Sequence, residues 1–179
     1  MHGRVPGAEL VGTEVTSVLQ LKNVHKAFAG VPALAGIDAA LADDAYISLL
    51  GPSGAGKTTL LRVIAGFEQP DGGEILFAGR RIDGVPPHER GIGFVFQNFA
   101  LFPHLSVAQN IAFGLENRAV GPVTDRKVVA ARVRDIIGLV GLSGLEDRAV
   151  TQISGGQKQR VALARTLVTE PSMVLLDEP

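Results

Sequence analysis

The sequence has 179 residues, the length of one domain, and its 46% hydrophobic and 20% charged residues are typical of a globular protein. Its net charge of −1 excludes the strongly basic surface that nucleic acids select, so we expect no nucleic-acid partner. The absence of cysteine excludes disulfides and thiolate metal sites, and favours a reducing, cytosolic compartment. No apolar run reaches the roughly 18 residues of a membrane span, so a membrane role is expected to come through a partner.

The N-terminal half predicts a flexible extension followed by an antiparallel β subdomain. Residues 1–16 predict the extension, and the alternating apolar residues of 17–24 and 34–41 predict two strands with one solvated face. The mostly apolar run 46–50 predicts a buried parallel strand. The helical spacing of Leu60, Leu61 and Ile64 predicts a helix over 58–65.

The remaining elements predict an α/β fold over residues 17–179, with a mainly parallel sheet and flanking helices. A helical subdomain at about 98–150 is expected to interrupt the sheet. The predicted elements are strands at 74–77, 92–96 and 173–176 and helices at 107–115, 127–140 and 155–169.

A glycine-rich loop joins the predicted strand at 46–50 to the helix that follows. Its pattern, G-x-x-x-x-G-K-[ST], indicates a phosphate-binding loop, because glycines let backbone N–H groups point inward at a helix N-terminus. Lys57 is expected to reach the β- and γ-phosphates, and Thr58 to ligate Mg²⁺. The loop consists of Gly51, Pro52, Ser53, Gly54, Ala55, Gly56, Lys57 and Thr58.

Two carboxylates follow the last predicted strand. Asp177 is placed to hold Mg²⁺ at the carboxyl end of a parallel strand, and Glu178 to polarise an attacking water. On its own, an apolar run that ends in Asp-Glu indicates only the end of a strand. Together with the glycine loop, it indicates ATP, Mg²⁺ and phosphoryl transfer.

The run Ser154, Gly155, Gly156 and Gln157 has two interpretations. Ser-x-x-Gln is a helix capping box, which is a purely structural motif. Two glycines are poor residues for the first turn of a helix, however, and they allow a ligand to approach the backbone closely. This second interpretation makes the run another phosphate site.

Four segments, 51–59, 95–97, 153–165 and 173–179, together resemble the nucleotide-binding subunits of ATP-binding cassette (ABC) transporters. The resemblance covers roughly residues 17–179. The stretch 93–115 is similar to importer subunits of the branch that serves polyamines, iron, sulfate and maltose. The sequence departs from the family pattern at Ile153, where Leu is usual.

The resemblance implies further site residues. Gln97 becomes a second catalytic residue beside Glu178, sensing Mg²⁺ and the attacking water, and Thr59 joins the ATP-binding loop. Phe28 matches the aromatic residue that stacks on adenine, although the sequence favours a core aromatic equally well. The 154–157 run is implied to bind the γ-phosphate held by a second ABC subunit, in a head-to-tail dimer.

By resemblance, the chain is a C-terminally truncated ATPase subunit that powers solute import. Its implied partners are transmembrane permease subunits and a solute-binding protein, with a peripheral location at the cytoplasmic face of the inner membrane. Two alternatives stay open. The first is an ATP-binding fragment without efficient turnover, because the family's later Asp-containing loop and histidine fall beyond Pro179. The second is a soluble, non-transport ABC ATPase.

Overall fold

The computed structural model describes residues 17–117 and 121–178, so the predicted extension at 1–16 lies outside the described residues. The strands are β1 (Ser17–Phe28), β2 (Val31–Ala42), β3 (Gly72–Phe77), β4 (Arg80–Arg81), β5 (Ile92–Val95) and β6 (Met173–Leu176). The helices are α1 (Lys57–Ala65), α2 (Val107–Glu116), α3 (Arg126–Leu139) and α4 (Gly155–Leu167).

The N-terminal strands form a four-stranded sheet in the order β2-β1-β3-β4, with antiparallel pairing throughout. Ala29 and Gly30 join β1 to β2 with φ values of 47° and 81°, the left-handed conformation that two-residue hairpin turns favour. One face of this sheet packs on α1, where Val63 and Ile64 are buried among the apolar strand residues. The predicted antiparallel subdomain is confirmed.

Strands β5 and β6 pair in parallel, with Ile92 opposite Met173 and Val95 opposite Leu176. The pairing continues one residue further, because Asp177 N donates to Val95 O at 3.0 Å. Both strands therefore end at the same edge, as the carboxyl ends of parallel strands must. This edge carries the residues predicted to act on a bound nucleotide.

The predicted strand at 46–50 is wrong. Among the described residues the segment pairs with no strand, and Tyr46 and Leu50 are 89% and 92% exposed. A cleft of about 380 Å³ separates it from β6. The apolar pattern was typical of a buried strand, yet a strand also needs neighbours to accept and donate its backbone hydrogen bonds.

Helices α2, α3 and α4 share a second core, whose centre contains Ile111, Val133 and Val161. The approach of α2 to α4 is close, since a Cβ on Gly114 would lie 2.7 Å from Arg165 O. Helices α2 and α3 fall within the predicted 98–150 subdomain, whose boundaries stay a prediction. None of the helices in the described ranges has the length and apolar content needed to cross a bilayer.

Candidate active site

The loop before α1 is held open by glycine geometry. Gly54 and Gly56 have φ values of 81° and 83°, which side chains with a Cβ rarely adopt. A Cβ on Gly56 would also lie 2.5 Å from Ala33 O, so the loop sits directly on the backbone of β2. Helix α1 begins at Lys57 without a side-chain cap, unlike α2, α3 and α4. Its first N–H groups therefore point into the loop without an intrahelical acceptor.

The Lys57 ammonium lies within this loop. Its Nζ donates to Gly51 O and Pro52 O, each at 2.8 Å. The loop residues from Gly51 to Ala55 are exposed. A positive charge and the positive end of a helix dipole therefore meet at an open surface, an arrangement that favours an anion such as a phosphate.

Thr58 and Asp177 come together at the base of the loop. Thr58 Oγ1 donates to Asp177 Oδ1 at 2.7 Å, and Asp177 is only 4% exposed. Hydroxyl and carboxylate oxygens are hard donors of the kind that Mg²⁺ prefers. No described cluster of three or more His, Cys, Asp or Glu residues could hold a metal ion by itself. The donor set therefore fits an ion that takes its remaining ligands from phosphate and water, as Mg²⁺ does.

Gln97 and Glu178 form a second pair, at the surface beside the first. Gln97 follows β5, Glu178 follows β6, and Gln97 Nε2 donates to Glu178 Oε2. Glu178 has a φ of 49°, and the two neighbouring carboxylates have different partners, Asp177 binding Thr58 and Glu178 binding Gln97. Since the amide nitrogen is used on Glu178, the amide oxygen is the Gln97 atom suited to a metal ion.

Phe28 lies at the tip of the β1–β2 hairpin, opposite Val31. Its ring is 45% exposed and contacts the Lys26 ammonium, whose Nζ lies 5.3 Å from the ring centroid. The alternative of a core aromatic is therefore wrong.

Asp71 anchors this end of β1, because its carboxylate accepts a hydrogen bond from Ala27 N at 2.6 Å. This hydrogen bond lowers the pKa of the Asp71 carboxyl, and Lys26 makes a smaller contribution in the same direction.

The 154–157 run forms the capping box that one interpretation predicts. Ser154 N donates to Gln157 Oε1 at 2.8 Å, and Gln157 N donates to Ser154 Oγ at 3.3 Å. Gly155 and Gly156 are exposed, and a Cβ on either would meet nothing within 4 Å. Among the described residues, no hydrogen bond joins this run to the loop at 51–58. Within the described part of one chain, no hydrogen bond therefore links the two predicted phosphate sites.

Sequence reasoning missed Arg90, which supports the site from the far end of α1. It is 4% exposed, and its Nη1 donates to Val63 O at 3.0 Å and Ile64 O at 2.8 Å. Its Nε donates to Val85 O at 2.7 Å, and burial lowers the pKa of the guanidinium. All of these acceptors are backbone carbonyls, so no pattern of side chains in the sequence marks the contact.

Comparisons with known proteins agree with this geometry. A family model described as ABC transporter matches residues 34–179. A spermidine/putrescine import ATP-binding protein of Spiroplasma citri is 49% identical over 164 residues, which cover 92% of this chain and 46% of the relative. A sulfate/thiosulfate import ATP-binding protein of Thermosynechococcus vestitus is 52% identical over 161 residues, or 90% and 47% of the two chains. The chain thus spans about half the length of the curated relatives it matches.

Solved structures give the same result. A dimeric ATP-binding cassette in a post-hydrolysis state with ADP and Pi has a TM-score of 0.80 at 29% identity, over 89% of this chain and 73% of that one. The cbiO1 protein of Clostridium perfringens, part of the transporter complex cbiONQ, has a TM-score of 0.79 at 33% identity, over 92% and 66%. The α/β phosphate-loop fold and the resemblance drawn from the sequence motifs are confirmed, and the chain belongs to the ABC transporter family.

Proposed function

We propose that this chain is the ATP-binding and ATP-hydrolysing part of a subunit that powers solute import through a membrane permease. The observation that carries the proposal is the meeting of two pairs at one sheet edge, Thr58 with Asp177 and Gln97 with Glu178. The first pair provides oxygen ligands for Mg²⁺ beside a phosphate-binding loop. The second pair provides a carboxylate that accepts a proton from the attacking water, and an amide that orients this carboxylate.

ATP binding falls to the loop and the hairpin tip. The backbone N–H groups of residues 53–59 and the Lys57 ammonium receive the phosphates, because both present positive charge at the start of α1. The exposed Phe28 ring takes the adenine by stacking. Ala33 lies three residues after the hairpin turn, and its backbone packs against Gly56. This contact brings β2 to the loop, which supports placing the phosphates at the loop and the adenine at the hairpin tip.

Thr58, Asp177 and the amide oxygen of Gln97 would hold Mg²⁺. When bound, the ion neutralises charge on the β- and γ-phosphates. Glu178 orients a water molecule and takes its proton as the water oxygen bonds to the γ-phosphorus. The bond from that phosphorus to the β–γ bridging oxygen breaks, which leaves ADP and phosphate. Gln97 keeps the Glu178 carboxylate in place through the hydrogen bond that joins them.

A second ABC subunit completes the site. The exposed Ser154, Gly155 and Gly156, together with the half-buried Gln157, would contact the γ-phosphate held by the loop of that subunit, in a head-to-tail dimer. The dimeric state of a structural neighbour supports the assignment, and in the described part of one chain no hydrogen bond joins this run to the loop. The Ser154 hydroxyl then serves both the capping box and the ligand.

The transport partners follow from the relatives. Import subunits for spermidine/putrescine and for sulfate/thiosulfate share comparable sequence identity with this chain, at 49% and 52%. One pair of solutes is cationic and the other anionic, so we assign solute choice to the permease and a solute-binding protein. The chain would act peripherally, at the cytoplasmic face of the inner membrane, by binding the permease.

Nucleotide binding tests this proposal. The chain is titrated with mant-ATP, a fluorescent ATP analogue, in Mg²⁺, beside Lys57→Ala, Glu178→Gln and a control, Lys22→Ala, in which an exposed lysine of β1 is removed. We expect Lys57→Ala to weaken binding at least about tenfold, since a charge-assisted contact is lost, and the other two variants to bind normally. Equal loss in Lys57→Ala and Lys22→Ala would contradict the proposed site.

Phosphate release and co-purification separate the alternatives. Release that is abolished by Glu178→Gln supports an ATPase, whereas binding without release supports an ATP-binding fragment. Co-purification of the chain with a permease supports the transport role. A soluble ABC ATPase would release phosphate without associating with any membrane protein.

A further inference from the structure

The loop that follows Gln97 has an unusual backbone. Phe99 and Ala100 are consecutive non-glycine residues with φ values of 61° and 45°. Each costs roughly 1 kcal/mol or more in this left-handed region, so the surrounding structure must hold them there. Two short backbone contacts tighten the same turn, from Phe99 N to Phe96 O and from Ala100 N to Asn98 O, both at 2.8 Å.

Arg165 of α4 stabilises this left-handed backbone conformation. Its Nη2 donates to Phe99 O at 2.9 Å and its Nη1 to Ala100 O at 2.7 Å, so one planar guanidinium binds the carbonyls of both left-handed residues. The guanidinium also lies 5.6 Å from the centroid of the Phe102 ring. Burial lowers the pKa of Arg165, and the described residues give it no carboxylate partner. The hydrogen bonds of the guanidinium therefore go to the loop backbone.

The residue next to Arg165 fixes α4 to the strand that leads into Gln97. Thr166 Oγ1 donates to Ala162 O of its own helix at 3.1 Å and lies 3.4 Å from Phe94 O, and a Cβ on Gly93 would lie 2.4 Å from Thr166 Cγ2. Helix α4 therefore grips β5 on the N-terminal side of Gln97 and the loop on the C-terminal side. The same helix begins at the 154–157 run, in which residues 154–156 are exposed.

We propose that Arg165 is a positioning residue for the reaction, an assignment that rests on the ATPase role proposed above. By holding Phe99 and Ala100, it keeps the Gln97 amide directed at Glu178, although it touches neither residue. It also makes the placement of Gln97 depend on α4, whose first turn is the proposed contact with the second subunit. A shift of α4 relative to the sheet would thus move Gln97.

Arg160 provides a matched control. It lies on the same helix, and its Nη1 donates to two backbone carbonyls, Val140 O at 3.0 Å and Gly141 O at 2.9 Å, after the end of α3. Arg160→Met and Arg165→Met therefore remove the same kind of side chain and the same number of acceptors. Arg165→Lys keeps the charge but cannot bridge two carbonyls in a fixed geometry, so it serves as a milder variant.

Two measurements are made on the full chain. Hydrogen exchange reports the opening of residues 99–101, and mant-ATP titrations in Mg²⁺ and in EDTA report the gain in affinity that Mg²⁺ provides. We expect Arg165→Met to speed exchange at 99–101 at least about fivefold and to reduce the Mg²⁺ gain about fivefold, with binding in EDTA unchanged. Arg160→Met should do neither, and in a Gln97→Ala background Arg165→Met should cause no further loss of the Mg²⁺ gain.

The outcomes are distinct. Equal effects of Arg160→Met and Arg165→Met, or a loss that persists in the Gln97→Ala background, would overturn the positioning role. If Arg165→Met does not fold, the same comparisons with Arg165→Lys decide the question. Failure of the unaltered chain to bind mant-ATP would refute the proposed ATPase role instead, while hydrogen exchange would still show whether Arg165 holds the loop.

Discussion

Thr58 and Asp177 are joined by a 2.7 Å hydrogen bond although 119 positions separate them in the sequence. One residue belongs to the first turn of α1 and the other follows β6, so the bond fixes the phosphate-binding loop against the edge of the parallel sheet. Because Asp177 is buried, its carboxylate depends on this hydroxyl and on nearby groups to replace lost water.

Removing the Thr58 hydroxyl should affect both stability and the metal site. Thr58→Val keeps the shape but leaves the buried Asp177 oxygen without its donor, so we expect the unfolding free energy to fall by about 2 kcal/mol. Thr58→Ser keeps the hydroxyl and serves as the control. Urea unfolding measures the first effect, and mant-ATP titration with and without Mg²⁺ should show the Mg²⁺ gain lost only in Thr58→Val. A full Mg²⁺ gain in that variant would remove Thr58 from the proposed ligand set.

Ser154 can be separated from a purely structural capping serine. Ser106 caps α2 with an equivalent box, in which Ser106 N donates to Gln109 Oε1 at 2.9 Å and Gln109 N donates to Ser106 Oγ at 3.2 Å. We expect Ser154→Ala and Ser106→Ala each to cost about 1 kcal/mol of stability. In a Glu178→Gln background, sedimentation should show that only Ser154→Ala loses ATP-dependent dimerisation. Dimerisation that survives in both variants would leave Ser154 a cap alone.

Gly156→Ala should stabilise the monomer and damage the dimer. A Cβ at Gly156 meets nothing within 4 Å in one chain, and alanine favours helices over glycine, so we expect a gain of about 0.5 kcal/mol. Gly138→Ala in α3 is the matched control, since its Cβ also meets open space. Thermal unfolding should show both gains, while ATP-dependent dimerisation should fall only in Gly156→Ala. Normal dimerisation of Gly156→Ala would contradict close approach of a second subunit's nucleotide.

Asp71 predicts part of the acid sensitivity of the chain. Because its pKa is lowered in the folded protein, chiefly by the hydrogen bond from Ala27 N, its stabilising effect is present above the ordinary carboxyl pKa. The effect is lost as the pH falls through the lowered folded value. Urea unfolding from about pH 5 to about pH 2 should therefore show a shallower decline in Asp71→Asn than in the unaltered chain. Asp135→Asn, at an exposed position of α3, is the control, and an equal change in both variants would contradict the assignment.

Most helices and strands were predictable because the apolar spacing that marks them lies within each segment. The strand at 173–176 and the helices that begin near 107, 126 and 155 are marked in the sequence by apolar spacing, and the structure adds caps at Ser106, Asp125 and Ser154. The phosphate-binding loop was equally readable, since glycines and Lys57 at fixed spacing carry their own chemistry.

Contacts that depend on the assembled fold were not readable from the sequence. The 46–50 run has the pattern of a strand, but pairing depends on neighbours that the pattern does not encode. The exposure of Phe28 depends on where the hairpin tip lies, so the sequence favoured an adenine-stacking residue and a core aromatic equally. Arg90 and Arg165 bind backbone carbonyls, which every residue carries, and their sequence positions therefore gave no sign of a partner.

Among the α-helices of the described residues, only α1 lacks a side-chain cap, because its N-cap residue is Gly56, while Arg90 binds carbonyls of its last turn. A bound phosphate would then act as the missing cap, which makes ligand occupancy and folding thermodynamically linked. Nucleotide at about one hundred times its dissociation constant would add about 2.7 kcal/mol to the unfolding free energy. The melting temperature of the chain should therefore rise with ATP concentration.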